Sequence, residues 1–268
     1  MTEFPWVRNY REDRATRELL RRGIIIPSHE KLHDVANAFV YPPLKGSLGP
    51  ENGERLGLHH FSVLVKLGFA KEYLDEIDQK MKPGGFDPET GQALVLDKRA
   101  GGFFGNLVAS LDNLAYEINI IHGLGFSKPS TGKLFRMINN SRTKPDSRVA
   151  KLPPVFLEPG TTKMIGKIQG YRNYLTHDRI PITMTRVAAS VSIVSGPNYA
   201  RPTSTENPLH TEWHLPRVEK LDLLPSRIKP EDLDPDDAVA TCQDLYLWTM
   251  KFFDTVYETL TEDFKRLP

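Results

Sequence analysis

Gly102-Phe103-Phe104-Gly105-Asn106-Leu107-Val108-Ala109-Ser110-Leu111-Asp112-Asn113-Leu114-Ala115-Tyr116-Glu117-Ile118-Asn119 is the stretch that decides the fold class. Phe103, Phe104, Leu107, Val108, Leu111, Leu114, Ala115, Ile118 and, just beyond, Ile121 recur at steps of three and four. That period puts them on one side of an α-helix, and a face this wide and this apolar has to be buried. Gly123 and Gly125 predict where the helix stops.

Working outward, a second helix is expected from about Glu54 to Met81, broken or bent near Gly68 and stopped by Pro83-Gly84-Gly85. A charged helix from about Pro5 to Arg22 precedes it, closed by Gly23, with an irregular stretch between the two. On the other side comes a short helix, Thr131 to Asn139. The polar, proline-rich segment from Asn140 to Pro159 then reads as an exposed loop, made basic by Arg142, Lys144, Arg148 and Lys151. The next helix runs from about Thr161 to His177, with Met164, Ile168, Tyr171 and Leu175 on a narrow apolar face. After Pro181, Ile182 to Val194 is rich in β-branched residues and predicts one or two strands. The last helix is expected from near Asp236 to about Phe264, with Ala238, Cys242, Leu245, Thr249, Phe252, Val256 and Leu260 on one face and Asp236 or Asp237 at its positive end. The chain is therefore mainly α, with helices in up-and-down order. It divides into an N-terminal helical extension (1–65) and a helical body (66–268) that contains a small β-rich insertion (182–227) before the last helix.

Composition sets limits on function. The 268 residues carry a formal net charge of +1, so any affinity for nucleic acid must come from a local patch. Cys242 is the only cysteine, which excludes an intrachain disulfide or a cysteine-based metal cluster, and it reads as a small core residue. The first residues show no apolar signal-peptide core and no run of eighteen apolar residues occurs, so a cytoplasmic protein without a membrane segment is expected.

One short run looks like chemistry: Arg172-Asn173-Tyr174-Leu175-Thr176-His177. A phosphate-binding cation, an orienting carboxamide and a proton-transfer imidazole lie within about two helical turns. Spacing alone does not select it, because Arg22 with His29 and Arg55 with His60 share the pattern. Helical context and the polar second residue do. Asn173 and His177, four apart, stack on a line that points away from the apolar face, and Arg172 sits on its rim. Gly166 and Gly170 continue that line, each costing the helix roughly 1 kcal/mol relative to alanine, which implies a close neighbour from this chain or a symmetry mate. The structural alternative is that His177 and Arg179 merely complement the helix dipole ahead of Pro181.

Other signals fail on inspection. Gly125 to Lys133 lacks the first glycine of a phosphate loop, Ser127 standing in its place, and has Leu134 where a hydroxyl is needed. Asp232, Asp234 and Asp236 alternate like a calcium loop, but Asp237 and Gln243 occupy its glycine and glutamate positions. His59 and His60 are neighbours on a helix and cannot both face one metal, so a surface or helix-packing role fits them better. Trp248, Phe252 and Phe253 read as core.

The Arg172-Asn173-x3-His177 run at the end of a helix, preceded by the helix through Gly102–Asn119 and followed by a long terminal helix, resembles the HEPN superfamily over roughly Lys66 to Leu267. The resemblance implies an HEPN-like bundle of about four main helices that dimerises, so that two Arg-x4-6-His motifs face one cleft. It further implies a metal-independent endoribonuclease with no cofactor, of a toxin–antitoxin or phage-defence kind, leaving a 2′,3′-cyclic phosphate and a 5′-hydroxyl. Arg172, Asn173 and His177 would be its catalytic set, with Lys163, Lys167 and Arg179 as candidate RNA contacts. Partners would be a second copy, RNA and an antitoxin or regulatory protein. One branch of the family has a modifiable tyrosine two residues after the histidine; Arg179 stands there in this chain. The competing expectation is a non-catalytic HEPN-like module that binds RNA, a nucleotide or a partner, and a helical structural protein with a fortuitous motif is a third.

Overall fold

A computed structural model describes residues 49–81, 92–176, 184–187, 191–194, 215–220, 230–232, 234 and 237–265. The chain is mainly α. Helices α1 (Gly49–Met81), α2 (Gln92–His122), α3 (Thr131–Ser141), α4 (Pro159–Thr176) and α5 (Ala238–Lys265) account for most of the described residues. No helix among them is long and apolar enough to cross a membrane. Strands β1 (Met184–Val187) and β2 (Val191–Val194) pair antiparallel, Met184 opposite Val194 and Val187 opposite Val191. Most of the expected insertion, and residues 1–48 of the expected N-terminal extension, lie outside the described residues.

Two segments differ from the sequence expectation. Helix α1 begins at Gly49 and runs unbroken through Gly68, which is buried. Pro50 falls in its first turn, where a missing N–H costs nothing. The stretch 140–159 is not simply an exposed loop: 3-10 turns at Val149–Lys151 and Pro154–Leu157 bury Leu152 and Phe156.

The chain divides into two compact units. The first comprises the described parts of Met1–Phe69, Asn106–Ile165 and Leu247–Pro268. Its core joins Leu56, Val63 and Leu67 of α1 to Leu107, Leu111, Leu114 and Ile118 of α2, with Leu134 and Phe135 of α3 and Phe253, Val256 and Leu260 of α5, all buried. Phe156 anchors the 3-10 segment there, its ring 6.1 Å from Phe135 and 5.1 Å from Phe252. Burying each such side chain is worth about 2 kcal/mol, which is why an isolated phenylalanine among prolines can hold a loop down.

The second unit comprises the described parts of Ala70–Gly105 and Gly166–Tyr246. Leu74 and Ile77 of α1, Ala100, Phe103 and Phe104 of α2, Ile168, Tyr171 and Tyr174 of α4, and Cys242 and Leu245 of α5 are buried in it. Gly102 lets the Tyr73 ring lie against α2, since a Cβ at that position would come within 2.7 Å of it. Helix α5 is started by Asp237, whose carboxylate accepts from Val239 N at 2.8 Å. At the other end of α2, Gly123 and Gly125 adopt φ of 59° and 77°, the left-handed turn that terminates a helix.

Candidate functional site

Helix α4 places the Arg172 motif. Pro159 opens it, and Thr161 N donates to the Glu158 carbonyl at 3.1 Å. Its buried line is Thr161, Ile165, Ile168, Tyr171 and Tyr174. That line lies a little round the helix from the expected one, with Met164 and Leu175 only half-buried. Tyr171 is fully enclosed, its ring 5.0 Å from Phe104, and fixes the rotation of the last two turns. Arg172 is consequently half-exposed and Asn173 exposed. Arg172 Nη1 donates to Asn173 Oδ1 at 2.8 Å, so the carboxamide orients the guanidinium next to it. His177 and Arg179 lie outside the described residues.

The two lysines of the motif helix differ. Lys163 is exposed. Lys167 is half-buried, its Nζ 3.2 Å from Asp234 Oδ2 and 5.9 Å from the centre of the Tyr171 ring. Asp234 is held there by its own backbone, whose N donates to the Leu215 carbonyl at 2.8 Å, while Arg217 N donates to Asp232 O at 2.9 Å. The same Asp234 oxygen accepts from the Tyr171 hydroxyl at 3.4 Å. Burial, and then the Asp234 charge, push the Tyr171 hydroxyl well above the usual tyrosine range. Of the close neighbour expected beside the two glycines, from this chain or a symmetry mate, the described residues of this chain supply none at Gly166. That residue is exposed, and a Cβ there would meet nothing within 4 Å among the described residues.

A second polar constellation lies in the first unit, and of it the sequence shows only Arg148, as part of a basic run. A cleft of about 410 Å³ is bounded by Gly125, Phe126, Lys133, Arg136, Asn140 and Arg148, among others. Helix α3 supplies Lys133, Arg136 and Asn140, three and four residues apart and so on one side. Ser130 caps that helix, its Oγ accepting from Lys133 N at 3.3 Å, and Asp112 Oδ1 accepts from Thr131 N at 2.9 Å. Arg148 Nε contacts both oxygens of Asp146, at 3.0 and 3.1 Å, and Nη2 reaches Oδ2 at 2.7 Å. Nη1 donates to the Leu124 carbonyl at 3.2 Å, and the guanidinium lies 5.2 Å from the centre of the Phe126 ring. The hydrogen bonds from the Arg148 side chain, and then one from Arg148 N to Asp146 Oδ1 at 3.0 Å, hold the Asp146 carboxyl down at about 2.

Buried polar groups also meet in the core of the first unit. His60 Nδ1 lies 3.2 Å from Glu117 Oε1, with side chains 3% and 0% exposed. Its neighbour His59 pairs with Asn113 Oδ1 at 2.8 Å and stacks on Tyr116 at 4.2 Å. Both histidines therefore pack helices together. Among the described residues no group of three or more His, Cys, Asp or Glu side chains converges as a metal site would. The chain matches no family model, no curated protein and no solved structure.

Proposed function

We propose that the protein is a metal-independent, HEPN-type endoribonuclease that acts as a homodimer. The observation that supports it is the Arg172–Asn173 pair. A guanidinium oriented by the adjacent carboxamide sits on the outer side of the last turn of α4, where the buried Tyr171 and Tyr174 hold the helix in one rotation. A fixed, water-accessible arginine is the group that a phosphodiester in its transition state needs.

In this reading Arg172 binds the scissile phosphate and Asn173 keeps its donors aimed. His177 of one copy takes the proton from the ribose 2′-hydroxyl. The 2′-oxygen attacks phosphorus, the bond to the 5′-oxygen breaks, and His177 of the second copy returns a proton to that oxygen. The products are a 2′,3′-cyclic phosphate and a 5′-hydroxyl, so atoms and charge balance without a metal or an added reactant. Two-fold symmetry provides a second imidazole of this motif, of which one chain carries a single copy. Lys163 is the better of the two lysines for an RNA contact, because the ammonium of Lys167 is engaged by Asp234. A toxin or phage-defence role, an antitoxin partner and a cytoplasmic site of action belong to the same proposal.

The test is incubation of the full chain with RNA in excess EDTA, beside Arg172→Ala and His177→Ala variants of unchanged thermal stability. The proposal requires cleavage with cyclic-phosphate ends in the wild type and its loss in both variants. Cleavage that persists in either variant overturns the assignment. RNA binding without any cleavage replaces it with the non-catalytic binding module.

A further inference from the structure

We infer that the cleft beside α3 is a binding site for a phosphomonoester carried by a nucleoside. The inference is independent of the Arg172 motif, since no residue of that motif takes part. Three features of the cleft point to a dianion. Asp146, the carboxylate in its wall, is spent on Arg148, which meets both of its oxygens. Lys133 and Arg136 therefore bring positive charge that no carboxylate in the wall balances. Arg136 is exposed and has no ion-pair partner among the described residues. Second, two of the cations, Lys133 and Arg148, are set in place before any ligand arrives. Lys133 Nζ donates to the Lys128 carbonyl. Arg148 is fixed by Asp146, Leu124 and the Phe126 ring, and still has one N–H unused on each terminal nitrogen. Preorganised donors lose little freedom on binding. Third, the backbone of Phe126 is tied to α2 at both its polar groups: Asn119 Nδ2 donates to the Phe126 carbonyl at 3.2 Å while Phe126 N donates to Asn119 Oδ1 at 2.9 Å.

A phosphomonoester carries a charge near −2 at neutral pH and offers three acceptor oxygens, which suits two uncompensated cations on adjacent turns of one helix side. Asn140, a turn beyond Arg136 on that side, adds a neutral donor. A cleft of about 410 Å³ lies in the range that takes a small ligand and has room for more than the phosphate alone. Phe126 supplies an aromatic wall for a base or sugar.

Such a group comes either from a free nucleoside 5′-monophosphate or from the 5′ end of an RNA. Titration calorimetry on the full chain separates the sources with the four nucleoside 5′-monophosphates, a short 5′-phosphorylated oligoribonucleotide and its 5′-hydroxyl counterpart. Binding of a mononucleotide assigns the site to free nucleotides; binding of the phosphorylated oligonucleotide alone assigns it to RNA ends. In either case Arg136→Gln should weaken binding about tenfold or more, as should Lys133→Gln, and the 5′-hydroxyl oligonucleotide should bind no better than these variants do. Arg136 is exposed, so its substitution leaves the fold intact, which an unchanged melting temperature checks. Failure of every phosphomonoester to bind, or affinity unaltered in both variants, overturns the inference. Arg172→Ala should bind a nucleoside 5′-monophosphate as wild type does and keep any preference for the 5′-phosphorylated over the 5′-hydroxyl oligonucleotide, so loss of RNA cleavage and loss of this site are told apart.

Discussion

Lys167 and Asp234 form an ion pair 3.2 Å long in which the lysine is 28% and the aspartate 12% exposed, across 67 residues of sequence. It ties the motif helix α4 to the segment just before α5. Partial burial makes it worth more than a surface pair, and its geometry depends on Leu215 and Tyr171 together. Asp234→Ala removes the acceptor from both Lys167 and Tyr171 and should destabilise the protein by about 1–3 kcal/mol, read as a lowered melting temperature. Lys167→Gln should cost about 1 kcal/mol or less. If Lys167 serves structure in this way, Lys163→Gln lowers affinity for RNA without moving the melting temperature, whereas Lys167→Gln does the reverse.

His60 and Glu117 form the most enclosed polar pair described. Glu117 Oε2 has no hydrogen-bond partner among the described residues, so Oε1 and His60 together carry the accommodation of that carboxyl group in the core. Removing one member of a buried pair leaves the other uncompensated, and His60→Leu should destabilise by about 3 kcal/mol or more. The double variant His60→Leu, Glu117→Met should be less damaged than the sum of the single changes. Urea unfolding of all four proteins measures the coupling. A value under about 0.5 kcal/mol means that the contact is incidental.

The helices were legible because their apolar residues recur. Phe103 to Ile121 and Ala238 to Leu260 announce buried faces through period alone, and every predicted position in these two runs is buried except Ile121, which is half-buried. Features that depend on one residue were not. Phe156 and Leu152 hold down a segment with no periodicity, so composition read it as exposed. Gly68 read as a break, yet it is buried inside a continuous helix, because tertiary packing outweighs a propensity cost of about 1 kcal/mol. At the Arg172 motif, helical phase correctly put Asn173 outward. The Lys167–Asp234 pairing was invisible, since it joins residues that no local rule connects. The α3 cleft was half-visible: Arg148 stood out as part of a basic run, but only its fold-given contacts with Asp146 and Leu124 show that its charge is engaged, whereas Arg136 has no ion-pair partner among the described residues.

Arg148 and Asp146 give a prediction in acid. The Asp146 carboxyl, held at about 2 by hydrogen bonds from Arg148 against an ordinary 3.8, is ionised in the fold where it would already be half-protonated in the unfolded chain. A depressed carboxyl contributes stability that is present above its ordinary value and is lost as pH falls through its folded value. Carboxyl NMR should therefore show Asp146 titrating near 2, moving back toward 3.8 in Arg148→Gln. A midpoint that does not move between the two proteins removes Arg148 as the cause.

At the alkaline end the sign reverses. Burial, then the Asp237 charge, raise the Cys242 thiol above its ordinary 9.0; burial, then Asp234, raise Tyr171, and burial, then Asp75, raise Tyr246, both above 10.0. Each of these groups stays neutral in the fold at a pH where the unfolded chain has released the proton. Their stabilisation is complete below the ordinary values and declines as pH rises from about 9 for the thiol and about 10 for the phenols, by roughly 1.4 kcal/mol per pH unit for each group. Urea midpoints measured from pH 8 to 11 should fall in that order. Cys242→Ala should delay the onset by about one unit, because only the tyrosines then contribute. The native thiol should also resist a thiolate-specific reagent at pH 8 and react at once in urea, since it is buried in the second unit beside Asp237. Rapid native reaction, or a midpoint independent of pH across this range, would mean that these side chains meet water in the folded protein.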